Sequence, residues 1–338
     1  MTERDETALR GELAGRIMGF MLSQAVYVAA KLGIADRVAE GPRSADELAR
    51  ETGANADALY RLLRMLAGHG IFVEREDRSF ENSAQSELLR EGNGFREFAL
   101  VFGELIFPAW TETLRTVETG EASFPHVFGG EWEEHLAANP DANTLFNRFM
   151  AGSPGAKNPV AETIAGTGWR GGETIVDVGG GNGALVIALL ERLPDVRGIV
   201  FDLPHVAAEA EEHLRDTGVA DRCRVVGGDF GDGVPEADAY VLSHILHGLG
   251  DAGALKLLRR IRRAIASDGR VFVVDGIVPG PNEPGQKMMD LLMLVLSAGK
   301  ERTEHEWRLL LADAEYELTA IHSAESWAPV LEARPLSS

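Results

Sequence analysis

A single cysteine, Cys223, occurs in 338 residues, which excludes an internal disulfide framework and any site built on several thiolates. Basic residues are also scarce, 33 against 53 acidic ones, for a formal net charge of −20. Such a surface repels nucleic-acid phosphates and anionic lipid headgroups, so neither nucleic acid nor membrane is an expected partner. Residues 1–10 are polar and mixed in charge, without the apolar stretch of a secretory signal. No apolar run is expected to reach the length of a membrane span, and 291–296 reads as a short buried segment. The expectation is a soluble, cytoplasmic protein. What is present is ordinary for a globular chain: 45% hydrophobic and 25% charged residues supply a core, and the length predicts two domains.

Residues 11–32 read as a helix. Its apolar residues Ile17, Met18, Phe20, Met21, Leu22, Val26 and Val28 surround the axis, and a helix apolar on all sides needs cover on all sides. A second copy of the protein is the expected cover, giving a homodimer; wrapping by the rest of the domain is the alternative. Ser44-Ala-Asp-Glu47 is a capping box that starts a short helix ending near Gly53. Asn55 caps the next helix, where Leu59, Leu62, Leu63 and Leu66 repeat at helical spacing until Gly68 and Gly70. Ile71-Phe-Val73 and Ser79-Phe80 flank a polar turn and predict a two-stranded wing. A winged helix often binds DNA, but the second helix offers only Arg61 and Arg64, too small a basic footprint for phosphates. The wing is therefore read as structural. From 95 to 153 the pattern is helical and rich in large apolar side chains, and Ser153-Pro-Gly155 and Asn158-Pro159 mark bends. The domain boundary is placed between 155 and 156.

Beyond it, β-branched runs at 174–178, 198–202, 223–226, 239–242 and 270–274 alternate with helical stretches. That alternation predicts a parallel, doubly wound α/β sheet. The last strands, 316–322 and 328–333, are joined by too few residues for a crossover, so they pair antiparallel. The first strand ends in Asp177-Val-Gly-Gly-Gly-Asn-Gly183, a loop whose Gly179, Gly181 and Gly183 let a nucleotide approach the following helix. The second ends at Asp202, placed to accept ribose hydroxyls, and the third in Gly228-Asp229-Phe230, an acid and a ring suited to an adenine. A nicotinamide dinucleotide and S-adenosylmethionine both fit such an edge. The antiparallel final pair favours the methyl donor, and the Tyr27/Lys31 pair that a dehydrogenase would use lies far upstream in a buried helix.

The segments Asp177-Val-Gly-Gly-Gly-Asn-Gly183, Phe201-Asp-Leu-Pro-His205, Gly228-Asp-Phe230, Ile245-Leu-His247 and Gly299-Lys-Glu-Arg-Thr303 occur in this order. Together with Thr119-Gly-Glu-Ala-Ser-Phe124 and Leu145-Phe-Asn147, they resemble the S-adenosylmethionine-dependent O-methyltransferases. That family includes plant caffeate-type enzymes and bacterial enzymes that tailor aromatic polyketides. The resemblance implies a class I methyltransferase domain over 156–338, with an antiparallel last strand, and a winged-helix dimerisation domain over 1–155. It implies S-adenosylmethionine as cofactor, held by Asp177, Gly179, Gly181, Gly183, Asp202, Leu203, Asp229, Phe230 and Ser243. It also implies His247 as general base, with Asp275 and Glu301 orienting its ring. The chemistry asks for such a base: a phenol is a poor nucleophile until its proton leaves, and imidazole titrates in the useful range. His244 is the local competitor.

Two departures stand out. Gly248-Leu249 replace the family's usual Asp-Trp after the histidine, and Ser243 replaces a frequent lysine. Relatives that keep fold and cofactor but perform hydroxylation or pericyclic chemistry supply the alternative function. Phe146, Phe149, Met150, Met289 and Met293 are expected to line a pocket for a small aromatic substrate, with plain core packing as the other reading. No His/Asp/Glu group has metal-ligand spacing, so metal-independent transfer is expected.

Overall fold

The computed structural model describes residues 3–151, 157–324 and 328–336. The Ser153–Gly155 bend and the expected 155/156 boundary therefore lie outside the described residues. Contacts divide the chain into two compact units, one of Met1–Pro108 with Pro140–Pro154, the other of Ala109–Asn139 with Gly155–Ser338.

In the first unit the expected caps are in place. Ser44 accepts from the Glu47 N–H and Glu47 accepts from the Ser44 N–H, satisfying two otherwise orphaned donors at the start of helix Ala45–Thr52. Asn55 accepts from the Ala58 N–H at 3.0 Å and opens helix Ala56–Gly68. Leu48, Leu63, Leu66 and Phe80 are fully buried with Ile34 in one core. The wing has three strands where two were expected: β1 (Arg43–Ser44), β2 (Phe72–Glu74) and β3 (Ser79–Asn82), in the order β1-β3-β2. Two residues carry no alternation, so β1 had no pattern to read.

The long helix Glu3–Lys31 goes against one alternative and corrects one expectation. The rest of its own chain does not wrap it: Ile17 is 65% exposed and Leu13, Met18, Phe20 and Met21 are about as open, while Ala25, Ala29 and Ala30 are buried. It is also, over Glu6–Lys31, long and apolar enough by length and composition to cross a membrane. Arg10, Glu12 and Arg16 interrupt its first half, which is why the expectation of no such span, based on unbroken apolar runs, missed it.

The second unit is built on a seven-stranded sheet of β4 (Thr174–Val178), β5 (Arg197–Asp202), β6 (Cys223–Gly227), β7 (Ala237–Ser243), β8 (Ile265–Val274), β9 (Tyr316–His322) and β10 (Val330–Pro335), in the order β6-β5-β4-β7-β8-β10-β9. The first five are parallel, and β10 runs antiparallel to both β8 and β9. β10 begins two residues later than expected because Pro329 has no N–H to donate to a ladder. Alternate side chains serve two cores, as the strand period requires. Ile175, Val200, Val241 and Phe272 face helices Lys157–Ala165 and Ala184–Arg192. Val176, Ile199, Tyr240 and Val271 face helices Asp251–Ala264 and Glu304–Asp313. The expected bend at Asn158-Pro159 is the first turn of helix Lys157–Ala165, a position where a proline's missing donor costs nothing. Strand order reverses between β4 and β7, which opens a crevice at their carboxyl ends.

Leu63→Ala, which empties a fully buried position, is expected to remove about 2–5 kcal/mol from the first unit. Urea unfolding followed by circular dichroism measures it.

Candidate functional site

The loops leaving β4, β5 and β7 meet at that crevice. Gly179 and Gly181 have φ of +68° and +57°, a region that disfavours any Cβ. The glycines serve two ends. A Cβ on Gly179 would lie 2.3 Å from Ile245, and one on Gly180 3.0 Å from Asp177, so these two are packed from behind. A Cβ on Gly181 would touch nothing, so that backbone faces open space. Asp202 accepts from the Gly181 N–H at 2.8 Å through one oxygen and from the Leu203 N–H at 2.7 Å through the other. Each oxygen keeps a lone pair. Burial raises the Asp202 carboxyl, and the two N–H bonds pull it back. Asp229 is exposed and accepts from the Gly231 N–H, while Phe230 packs on the core beside it. Asp177 is buried at the end of β4, Gly183 caps helix Ala184–Arg192, and Ser243 closes β7. An open glycine backbone beside a carboxylate with free acceptor capacity fits a nucleoside.

Past β7 the chain makes one 3₁₀ turn, Leu246–Gly248, which carries His247. Its Nδ1 lies 2.8 Å from Glu301 Oε1, and 3.8 Å from Asp275 Oδ1, too far for a hydrogen bond. Glu301 thus orients the ring directly, and Asp275 acts on it only through space. Asp275 is fully buried and neither of its oxygens finds a hydrogen-bond partner among the described residues. Burial pushes its carboxyl up to about 7, against the pull of the imidazole beside it. For His247, burial is the largest influence and disfavours the charged ring, but Asp275 and Glu301 together outweigh it, so the imidazole ends above its ordinary value. Asp290, on helix Lys287–Ser297, accepts from the Glu301 N–H at 3.0 Å and fixes the backbone from which that carboxylate projects.

His244 lies beside the base, with ring centres 5.4 Å apart. It has φ of +58°, and its N–H donates to Val274 O at 3.0 Å. One donor atom each from His244, His247 and Asp275 lie within 4.8 Å of one another. This corrects the expectation that no such group comes together: Asp275 arrives on the neighbouring strand, which spacing along the chain does not reveal. Nδ1 of His247 is already engaged by Glu301, and we read the group as setting the charge of the ring.

The expected substrate residues fall in both units. Phe146, Phe149 and Met150 lie on helix Pro140–Ala151 of the first unit, where Phe149 meets Phe98 and Phe102 edge-on. Sequence reading missed Phe98, which stacks on Phe102 at 4.3 Å. Met289 and Met293 lie on helix Lys287–Ser297 of the second unit, Met289 half-buried and Met293 buried, whereas Met288 is exposed. Also missed were the roles of Ser297, Lys300 and Arg302, although the last two stand in the quoted motif.

Two domain families match the chain, an O-methyltransferase dimerisation domain over residues 16–92 and an O-methyltransferase domain over 110–317. The chain is 39% identical to a phenazine O-methyltransferase, PhzM, of Lysobacter antibioticus, over 99% of this chain and all of that one. It is 35% identical to the mitomycin biosynthesis 6-O-methyltransferase of Streptomyces lavendulae, over 87% of this chain and 85% of the other. Its structure is similar to that of NcsB1, an O-methyltransferase from neocarzinostatin biosynthesis solved with S-adenosyl-L-homocysteine and 1,4-dihydroxy-2-naphthoic acid. There the TM-score is 0.81 at 33% identity, covering 93% of this chain and 96% of that one.

The His247 imidazole is expected to titrate above 6.5, staying protonated to a higher pH than a free histidine. Glu301→Gln removes one of the two charges that favour the imidazolium, so the midpoint moves to lower pH. Proton NMR of the imidazole across a pH series reads both.

Proposed function

We propose that this chain, which belongs to the family of S-adenosylmethionine-dependent O-methyltransferases, methylates a hydroxyl of a small aromatic natural product, with His247 as general base. One observation carries the catalytic assignment. The Nδ1–H of His247 donates to Glu301 at 2.8 Å, which selects the tautomer whose Nε2 is an acceptor. Nε2 is then the atom that takes the phenolic proton. The raised imidazole suits an acceptor hydroxyl whose own proton is weakly acidic, since proton transfer is more favourable to a stronger base. Asp275 favours the imidazolium that results, and its burial keeps that influence unscreened.

S-adenosylmethionine supplies a methyl group already activated by its sulfonium. The protein's own work is therefore to hold the cofactor, to align the acceptor oxygen and to remove its proton. Asp202 would take the ribose hydroxyls with its remaining lone pairs, and the loop from Gly179 to Gly183 would run alongside, with Asp177 behind it. Leu203, Asp229, Phe230 and Ser243 would frame the nucleoside from the ends of β5, β6 and β7. The aromatic substrate class is supported by the phenazine and naphthoate chemistry named for the relatives and by Met289 and Met293 on the helix that also carries Asp290.

We also propose a homodimer through helix Glu3–Lys31. Its exposed apolar half has the composition of a face that a second copy covers, and a dimerisation domain match begins within it. On this reading the helix is an interface and the enzyme is cytoplasmic.

Replacing His247 with alanine is expected to lower methyl transfer about 10²- to 10⁴-fold while S-adenosylhomocysteine still binds. Incubation with labelled cofactor and a panel of hydroxylated aromatic acids measures it, and undiminished transfer would remove the assigned base. No label in any product, with the cofactor bound, would instead favour non-methylating chemistry. Ile17→Asp puts a charge into the exposed apolar face and is expected to give monomers by light scattering. A variant that stays dimeric excludes this interface.

A further inference from the structure

Four consecutive backbone carbonyls around the base are each held by a donor from residues 297–302. Arg302 Nη1 donates to Leu246 O at 3.0 Å and the Lys300 N–H to His247 O at 2.8 Å. Ser297 Oγ donates to Gly248 O at 3.1 Å and Arg302 Nη2 to Leu249 O at 3.0 Å. The turn itself contributes only two internal bonds, from the Gly248 and Leu249 N–H groups, both at 3.2 Å. A single 3₁₀ turn does not sustain itself, so its shape is imposed from outside. Gly299 closes the fit, because a Cβ there would lie 2.3 Å from His247 O.

Arg302 is an expensive residue to place here. It is fully excluded from solvent, while the side chain of its acidic partner among the described residues, Asp251, is 60% exposed. A buried charge persists only when its donors are satisfied, and these are. Nε and Nη2 meet Asp251 at 2.9 Å, Nη1 serves the carbonyls of Leu246 and Lys300, and Nη2 also serves Leu249. The Trp307 ring lies against the guanidinium at 5.0 Å, and its own Nε1–H donates to Gly276 O. A planar fork of five N–H groups is needed for this set, and an ammonium lacks it.

We infer that Arg302 is a positioning residue: through the carbonyls of Leu246 and Leu249 it holds the His247 ring in register with Glu301, which the same segment carries. The inference rests on the reading of His247 as the base. Ring and carboxylate are thereby set by one rigid piece of chain, and a slip between turn and segment breaks the 2.8 Å bond. The charged and titratable groups facing His247 are His244 from the end of β7, Asp275 from the end of β8, and Glu301 and Arg302 from the segment itself. Losing the Glu301 contact leaves burial to dominate, so the ring becomes easier to deprotonate.

The test uses the full-length enzyme, with methyl-transfer kinetics and NMR titration of the His247 imidazole measured in parallel. Arg302→Lys keeps the charge and loses the fork. It is expected to lower kcat about 30- to 100-fold, to leave KM for S-adenosylmethionine within about twofold, and to move the His247 midpoint to lower pH. Gly299→Ala, which leaves the guanidinium untouched, is expected to do the same by displacing the His247 carbonyl; Ser297→Ala, which removes one of the four donors, does so less. If Arg302→Lys does not fold, the other two variants decide. A folded Arg302→Lys or Gly299→Ala enzyme with lowered stability but wild-type kcat and midpoint overturns the inference. Should the wild type transfer no methyl group while the midpoint still falls in Arg302→Lys, the register stands and the reading of the activity is what fails.

Discussion

The hydrogen bond from Nδ1 of His247 to Glu301, 2.8 Å long, sets which ring nitrogen is left to accept a proton, and much of the second unit serves to keep it. An imidazole with both carboxylates at bonding distance would be held too firmly as the cation, whereas one with neither would be neutral but free to rotate. Glu301 bonds the ring and Asp275 stands back at 3.8 Å, so orientation and charge bias come from different residues. Both acids are buried, where electrostatic influence is less screened than at the surface. Arg302 opposes them and moderates the bias on the ring.

The same corner carries backbone strain. His244 holds a left-handed conformation, which costs a non-glycine residue about 1–2 kcal/mol. Its N–H is tied to β8 through Val274, so the strand it follows ends abruptly and the chain turns at once into the 3₁₀ segment. Without that turn β7 would continue past the crevice and carry His247 away from Asp275. Strain of this kind persists where neighbouring structure over-determines it, and the four carbonyl contacts to 297–302 do so here.

What sequence reading reached and what it missed divide along a physical line. The cores of β4 to β8 were legible because apolar β-branched runs interrupted by helices leave few alternatives, and β4 and β9 fall on their expected residues. The capping of helix Ala45–Thr52 was legible because the Ser44/Glu47 pair is a local rule. The antiparallel final pair followed from the short connection. The position of β10 between β8 and β9 was not legible, since a connection length constrains direction but not sheet order. His247, Asp275 and Glu301 were named through the resemblance, yet the unequal distances of the two acids belong to side-chain placement. The support from residues 297–302 was invisible for a different reason: its acceptors are main-chain carbonyls, which every residue possesses. The exposure of the N-terminal helix could be read only as a need for cover, because sequence does not say which molecule supplies it.

The strand order also bears on how the chain assembles as it is synthesised. β9 is made before β10, yet among the described residues its ladder is with β10 alone, and β10 is also what covers the open side of β8. Until β10 emerges, β8 has a bare edge and β9 lacks its ladder partner. On the ribosome the nascent domain therefore carries an uncompleted sheet until β10 has left the exit tunnel, and a chain stopped short of that strand would present a sticky edge to its neighbours.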